Sequence, residues 1–104
     1  MSNEIVKIVK ADWDLVPKTK FLRVEGHVVV DSFNDKVMAS IAEQQGINPN
    51  ILLINITVKP SGGPMKPQPS PFHLAEATMG NESWTHVQVT YGAETDTMPI
   101  NKLE

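Results

Sequence analysis

Prolines concentrate in one segment of the chain, and this clustering restricts the fold more than any other feature of the sequence. Five of the eight prolines lie within residues 60–71. Because proline lacks an amide proton and has a fixed φ angle, this segment cannot be the interior of a helix or a central strand. The sequence therefore predicts an exposed and largely extended loop over residues 60–71.

Three roles for this Pro-rich loop stay open from the sequence. Residues 64–67 match the PxxP pattern of segments that dock into aromatic grooves. Alternatively, Gly62 and Gly63 act as the hinge of a lid with Met65 at its apolar tip, which predicts Met65 as a binding residue. The third role is a tether that joins two strands without binding anything.

The composition is typical of one domain spanning residues 1–104. The net charge is −3, and the basic excess or basic stripe of a nucleic-acid-binding protein is missing, so we expect no nucleic-acid partner. The lack of cysteine excludes a disulfide framework and a thiolate nucleophile. No apolar run approaches the roughly 20 residues of a membrane helix, and no signal-peptide pattern is present. We expect a soluble cytoplasmic protein of bacterial type without a membrane partner.

Alternating apolar residues predict three strands in the first part of the chain. Residues 4–9 and 51–58 are rich in β-branched and aliphatic side chains. Residues 21–30 show the clearest alternation, which is typical of a half-buried strand. The apolar face of this strand is predicted to carry Leu22, Val24, Val28 and Val30.

The segment between the first two strands is predicted to be a connection. Residues 10–20 contain Asp12, Trp13 and Asp14. Two carboxylates beside an aromatic ring can serve acid–base chemistry or sugar binding. A capped turn with Trp13 as its anchor is the interpretation that we favour.

One helix is predicted over residues 33–45. Ser32 and Asp35 match a capping box at its beginning, and Gly46 and Pro49 match the signals that end a helix. Apolar residues recur at helical spacing within the segment. These residues are Phe33, Val37, Met38, Ile41 and Ala42.

The segment after the Pro-rich loop has two alternative structures. Residues 72–79 form either a short helix that ends at Gly80 or the first strand of a hairpin. We favour the hairpin because a turn at residues 80–81 places Leu74 opposite Val87 on one apolar face. Residues 93–104 are predicted to be a polar C-terminal tail.

These elements predict an α+β fold. The expected architecture is a five-stranded antiparallel or mixed sheet with one helix packed on one face, in the order β-β-α-β-β-β.

The predicted hairpin places two histidines on its outer face. His73 and His86 become diagonal neighbours, close enough to bind zinc or copper together with Glu25 or Glu76. Because no compact metal-binding motif is present, we predict no metal, no other cofactor and no catalytic residue. Two histidines on the wet face of a sheet are the simpler interpretation.

Trp84 is the strongest candidate for a contact surface. Alternation along the last predicted strand, residues 82–91, places the Trp84 side chain outward, beside small residues. The alternative is that the Pro-rich loop or the N-terminal segment covers it.

Two functions are compatible with these patterns. The first is a non-catalytic binding or interaction module for a protein or small-molecule ligand, with Trp84, Met65, His73 and His86 as binding residues. The alternative is a small metal-binding protein or hydrolase-like enzyme that uses the two histidines and nearby carboxylates. The simplest partner is a second copy, so we expect a homodimer with Trp84 or the first strand in the contact.

Overall fold

A computed structural model of the chain describes residues 5–16, 18, 20–32 and 34–103. Within these residues the structure has eight strands and no helix, so the predicted α+β fold is wrong and the chain is all-β. Glu4, Phe33 and Glu104, which belong to predicted elements, lie outside the described residues. The strands are β1 (Val6–Asp14), β2 (Lys20–Val30), β3 (Lys36–Ile41), β4 (Ile51–Lys59), β5 (Gln68–Thr78), β6 (His86–Tyr91), β7 (Glu94–Pro99) and β8 (Asn101–Leu103).

The strands form two four-stranded sheets instead of the one sheet that we predicted. Their orders are β5-β2-β1-β8 and β3-β4-β6-β7. The β1–β8 and β4–β6 pairs are parallel, and the other neighbouring strands are antiparallel. Buried apolar side chains from both sheets form one core, which makes the fold a β-sandwich. The core residues are Val6, Ile8, Ala11, Trp13, Leu22, Val24, Val28, Val30, Leu52, Ile54, Ile56, Phe72, Leu74, Val87 and Val89.

The two strands with the clearest alternation are confirmed. In β2, the four apolar residues predicted to share one face are all buried. In β4, Leu52, Ile54 and Ile56 are buried, and Val58 is half-buried against the core. Alternation locates these strands correctly because one face of each sheet is buried and the other is not.

The predicted helix is wrong, because residues 36–41 form strand β3. Its half-buried side chains alternate with exposed ones, as in a strand that packs one face on a core. The predicted capping residues do bond to each other, but they close a turn. The Ser32 N–H donates to Asp35 Oδ2 at 3.2 Å, and the Asp35 N–H donates to the Ser32 carbonyl at 3.0 Å. Side chains that cap helices also stabilise turns, which explains the error.

The first strand is longer than predicted, because β1 continues to Asp14 through the expected connection. A β-bulge interrupts the pairing of β1 with β2 between Ile8 and Lys10. The extra residue reverses the alternation, so that Ala11 and Trp13 face the core after the bulge. Trp13 is therefore a core residue, not the anchor of a turn.

The predicted hairpin is also wrong. Residues 72–78 do form a strand, but β5 pairs with β2, and Leu74 lies opposite Val24. Strand β6 pairs instead with β4 and β7. Gly80 has a φ of 89°, the positive value expected for a turn glycine, but it begins a connection between the two sheets. The segment predicted as a polar C-terminal tail contains β7 and β8.

The Pro-rich loop is shorter than expected and is attached to the connection between β2 and β3. Pro69 and Pro71 belong to β5, at one edge of its sheet, where proline is tolerated. The Ser61 N–H donates to Asp35 Oδ1 at 2.8 Å, and the Lys66 N–H donates to the Asp31 carbonyl at 2.6 Å. Residues 60–67 are thus an extended loop held against a neighbouring turn.

Candidate functional site

The connections between strands lie at two opposite ends of the sandwich. Strands β1, β3, β5, β7 and β8 end at one of them. In the first sheet Asp14 pairs with Leu103 and Lys20 with Thr78; in the second, β3 ends beside the start of β4 and β7 beside the start of β6, and the Trp13–Trp84 contact joins these ends of the two sheets. We call this the Trp84 end; it comprises residues 15–16, 42–50, 79–85 and 100–103. The opposite, Pro-loop end comprises the β2–β3 connection, residues 60–67 and the turn between β6 and β7.

Trp84 packs on Trp13 at the boundary of the core. The two ring centroids are 5.2 Å apart and the ring planes are inclined at 41°. The Trp13 indole N–H donates to Thr78 Oγ1 at 2.8 Å, and Lys102 Nζ lies 5.5 Å from the Trp13 ring centroid. Trp84 is only half-buried. The first strand therefore covers one side of Trp84, whereas the Pro-rich loop lies at the other end of the molecule.

A cavity of about 340 Å³ lies beside Trp84. Two connections contribute its walls, one between β3 and β4 and the other between β5 and β6. The lining residues are Gln45, Gly46, Asn48, Pro49, Ile51, Glu82, Ser83 and Trp84.

The Gln45 side chain in this cavity is bonded to the backbone. Its Oε1 accepts the Leu53 N–H at 2.8 Å, and its Nε2 donates to the Ala42 carbonyl at 2.8 Å and to the Leu53 carbonyl at 3.1 Å. The side-chain amide thus continues the β3–β4 ladder beyond its last paired residues.

Other polar groups of the cavity also hold the connections in place. The Glu82 carboxylate accepts the N–H groups of Gly80 at 2.8 Å and Met79 at 3.2 Å. Ser83 Oγ donates to the Pro49 carbonyl at 3.3 Å. These groups stabilise the walls, so the apolar surface that the cavity offers to a ligand comes from Trp84, Pro49 and Ile51.

Several apolar side chains extend into solvent at the same end. Ile47 is fully exposed, and it lies between two residues that line the cavity. Met79 is 81% exposed, and its own N–H donates to the carboxylate of Glu82, a residue that lines the cavity. Val16 and Leu103 are exposed as well. Exposed apolar groups gathered at one end of a small domain are typical of a binding surface.

The structure separates the two predicted histidines. His73 lies in β5 and His86 in β6, which belong to different sheets. His73 Nε2 is 3.7 Å from Glu25 Oε1, and His86 Nδ1 is 2.9 Å from Thr85 Oγ1. The two-histidine site depended on the wrong hairpin, so it is not assembled. The binding role of His73 and that of His86 each remain a prediction.

The described residues contain no group of three or more histidine, aspartate or glutamate side chains that could hold a metal ion. Met65 is 77% exposed in the Pro-rich loop, at the end opposite Trp84. The Pro-rich loop therefore does not cover Trp84, and the predicted binding role of Met65 concerns a separate surface.

Two further recesses lie away from Trp84. One, of about 320 Å³, is on the outer face of β2 and β5 beside the bulge, and it includes Val9 and His73. The other, of about 260 Å³, lies at the Pro-loop end between Lys36 and Lys59. Near it, the hydrogen bond from the Ser61 N–H lowers the pKa of the Asp35 carboxyl below its usual value.

The sequence pointed to Trp84 but not to the groups that surround it. Gln45 and Glu82 gave no motif, because each bonds to backbone groups brought near by the turns. The exposed Ile47 could have been recognised as an apolar residue between turn-forming residues 46 and 48–50.

Across the described strands and connections there is no helix long and apolar enough to cross a membrane. No protein-family model, curated protein or solved structure matches the chain.

Proposed function

We propose that this protein is a non-catalytic binding module that recognises an apolar side chain of a protein partner at the Trp84 end. The observation that carries the proposal is the cavity of about 340 Å³ beside the half-buried Trp84. Its volume suits one large side chain or a short peptide segment. A cytoplasmic location, expected from the sequence, belongs to the same proposal.

The chemistry of the cavity favours an apolar group. Gln45, Glu82 and Ser83 already bond to the backbone, so a polar ligand would have to compete with these bonds. The indole ring offers a large apolar surface at little cost in conformational entropy, and tryptophan is enriched among the residues that dominate binding energy.

The rim favours a protein partner over a small molecule. Ile47 and Met79 are exposed near the cavity, where a bound peptide could cover them while its side chain fills the cavity. An interface is usually built in this way, with a buried anchor at its centre and weaker contacts around it.

The experiment uses a random linear-peptide display library as the probe, selected on the wild-type protein. Met79→Asp is the test variant and Met65→Asp is its matched control, since both methionines are exposed to a similar extent, 81% and 77%, at opposite ends. We expect enriched peptides with a large apolar residue in common. We expect Met79→Asp to weaken them by about tenfold, because a charge at the rim opposes apolar contact, and Met65→Asp to leave them unchanged.

A second variant, Trp84→Ala, removes the anchor itself, and thermal unfolding shows whether the variant remains folded. Loss of peptide binding by a folded Trp84→Ala protein supports the proposal. The proposal is overturned if the selected peptides bind Met79→Asp and Trp84→Ala as tightly as the wild type, or if their binding depends on Met65. Either result would place the binding surface away from Trp84.

A further inference from the structure

Of the four edge strands in the described part of the sandwich, β3 is the one that has neither a proline nor a length of only three residues, and its one charged residue is Lys36. Natural proteins block such edges with proline, charge or short strands. Strand β5 has Pro69 and Pro71, and β8 is only three residues long. Strand β7 carries Pro99 and Asp96, and Asp96 Oδ2 also accepts the Ile8 N–H at 2.8 Å, which protects the open part of β1.

The backbone of β3 offers unpaired groups along this edge. The Ala42 N–H donates to the carbonyl of Leu53, the residue opposite it. Because bonded and non-bonded pairs alternate in an antiparallel ladder, the N–H and C=O groups of Val37, Ala39 and Ile41 point away from β4. No other described residue accepts from or donates to these groups.

This edge is complementary to itself. If two copies meet with Ala39 on a two-fold axis, Val37 of one copy pairs with Ile41 of the other, and all the unpaired groups of both edges form hydrogen bonds. Met38, which is exposed, then lies opposite Ser40 of the second copy. Lys36 lies opposite Ala42 of the second copy and next to its Glu43, so the two lysines stay apart.

We infer that the protein forms a homodimer in which the β3 edges of two copies pair antiparallel and join the two β3-β4-β6-β7 sheets into one. The first strand, the contact expected from the sequence, pairs with β8 only over residues 12–14. In its open part the Ile8 N–H already donates to Asp96 Oδ2, so β1 offers a less open edge than β3. The inference rests on the backbone of β3, none of whose residues lines the Trp84 cavity, so it does not depend on the proposed function.

Cysteine cross-linking tests the register, because the natural chain has no cysteine. Met38→Cys and Ser40→Cys are prepared separately, mixed and oxidised. The register places these positions in a non-hydrogen-bonded pair, with Cα atoms about 4.5 Å apart, so the mixture should give about tenfold more disulfide dimer than either variant alone. A mixture of Ser40→Cys with Thr57→Cys is the control, since Thr57 is exposed on β4, one strand away from the edge.

Sedimentation of the full chain between about 5 and about 500 μM tests association itself, because dimerisation depends on concentration. Ala39→Pro removes an N–H from the β3 edge and should give a monomer. Its matched control is Ala75→Pro, which removes an N–H from the edge of β5, a strand that already contains proline, and should leave the dimer intact.

Three results would each overturn the inference. The first is equal cross-linking in all mixtures, and the second is a wild-type protein that stays monomeric. The third is a dimer that is lost in Ala75→Pro but kept in Ala39→Pro. The last result would assign the contact to β5. If Ala39→Pro does not fold, the cysteine mixtures decide, because those changes lie at exposed positions.

Discussion

The indole N–H of Trp13 donates to the hydroxyl of Thr78 at 2.8 Å, which joins β1 to β5 although β2 lies between them in the sheet. Trp13 is buried, and Trp84 covers its ring. The Trp13–Thr78 hydrogen bond therefore holds Trp13 in position, and Trp84, the candidate binding residue, packs on Trp13.

Thr78→Val is expected to destabilise the protein by about 1–3 kcal/mol, because it leaves the buried Trp13 N–H without its acceptor. Thr57→Val is the control, since Thr57 is exposed on the outer face of β4 and should change the free energy of unfolding by less than about 0.5 kcal/mol. Urea titration measures both. Equal effects of the two substitutions would contradict a structural role for the Trp13–Thr78 bond.

Gly26→Ala is expected to be among the most damaging changes of a single methyl group. A Cβ atom at this position would overlap the backbone carbonyl of Lys7 and lie 2.7 Å from the Phe72 ring. Because neither the ladder nor the packed ring can move away easily, we expect a loss of about 3 kcal/mol, the upper end of the usual range for overpacking.

Gly46→Ala is the control for Gly26→Ala, because its added Cβ would meet only Leu53 Cδ1 at 3.6 Å. We expect a change of less than about 0.5 kcal/mol. Thermal unfolding compares the two variants, and a stable Gly26→Ala protein would show that the register of β1 and β2 is wrong.

Gln45→Ala is expected to loosen the β3–β4 connection, because the side-chain amide bonds to Ala42 and Leu53. Loss of about 1 kcal/mol of local stability corresponds to roughly fivefold faster exchange of the Leu53 amide hydrogen. Gln44→Ala is the matched control and should leave that rate unchanged. Unchanged exchange in both variants would contradict the assignment.

The Asp35 carboxyl predicts an acid-dependent change at the Pro-loop end. Its pKa is lowered from the usual value of 3.8, first by the bond from the Ser61 N–H, so the charged form is favoured in the folded state. A lowered pKa stabilises the fold above 3.8, and this contribution disappears as the pH falls through the lower folded value.

NMR measures this effect directly. The Ser61 amide proton should titrate with a midpoint below 3.8, and it should not titrate in this range in Asp35→Asn. A midpoint at or above 3.8 would contradict the bond between this carboxylate and the loop.

The sequence predicted the strands whose alternation is uninterrupted. β2 and β4 alternate regularly, because each has one face on the core. β1 does not alternate regularly, because the bulge after Ile8 changes which residues point to the core before the strand reaches Trp13. The extra residue of a bulge leaves no signal in the sequence.

The helix error has a different cause. Val37 and Ile41 are four residues apart, a spacing that suits one face of a helix and also one face of a strand. Ser32 and Asp35 then added a capping pattern that turns share. Local sequence patterns therefore could not distinguish a helix from a strand over residues 36–41. The strand forms because its alternate side chains pack on the core.

Pairing between strands could not be predicted from apolar matching. Leu74 would fit opposite Val87 as well as it fits opposite Val24, because apolar faces carry little information about their partner. For the same reason the sequence identified Trp84 as a candidate but could not indicate the cavity beside it, whose walls come from two separate connections.

The pairing of β8 with β1 has a consequence for how the chain folds. Asn101 Nδ2 donates to Asp12 Oδ1 across a separation of 89 residues, where the last strand joins the first. Contacts between such distant residues form slowly, because a long loop must close before they add any stability. During synthesis, the sheet that contains Trp13 therefore cannot be completed until residues 101–103 have left the ribosome.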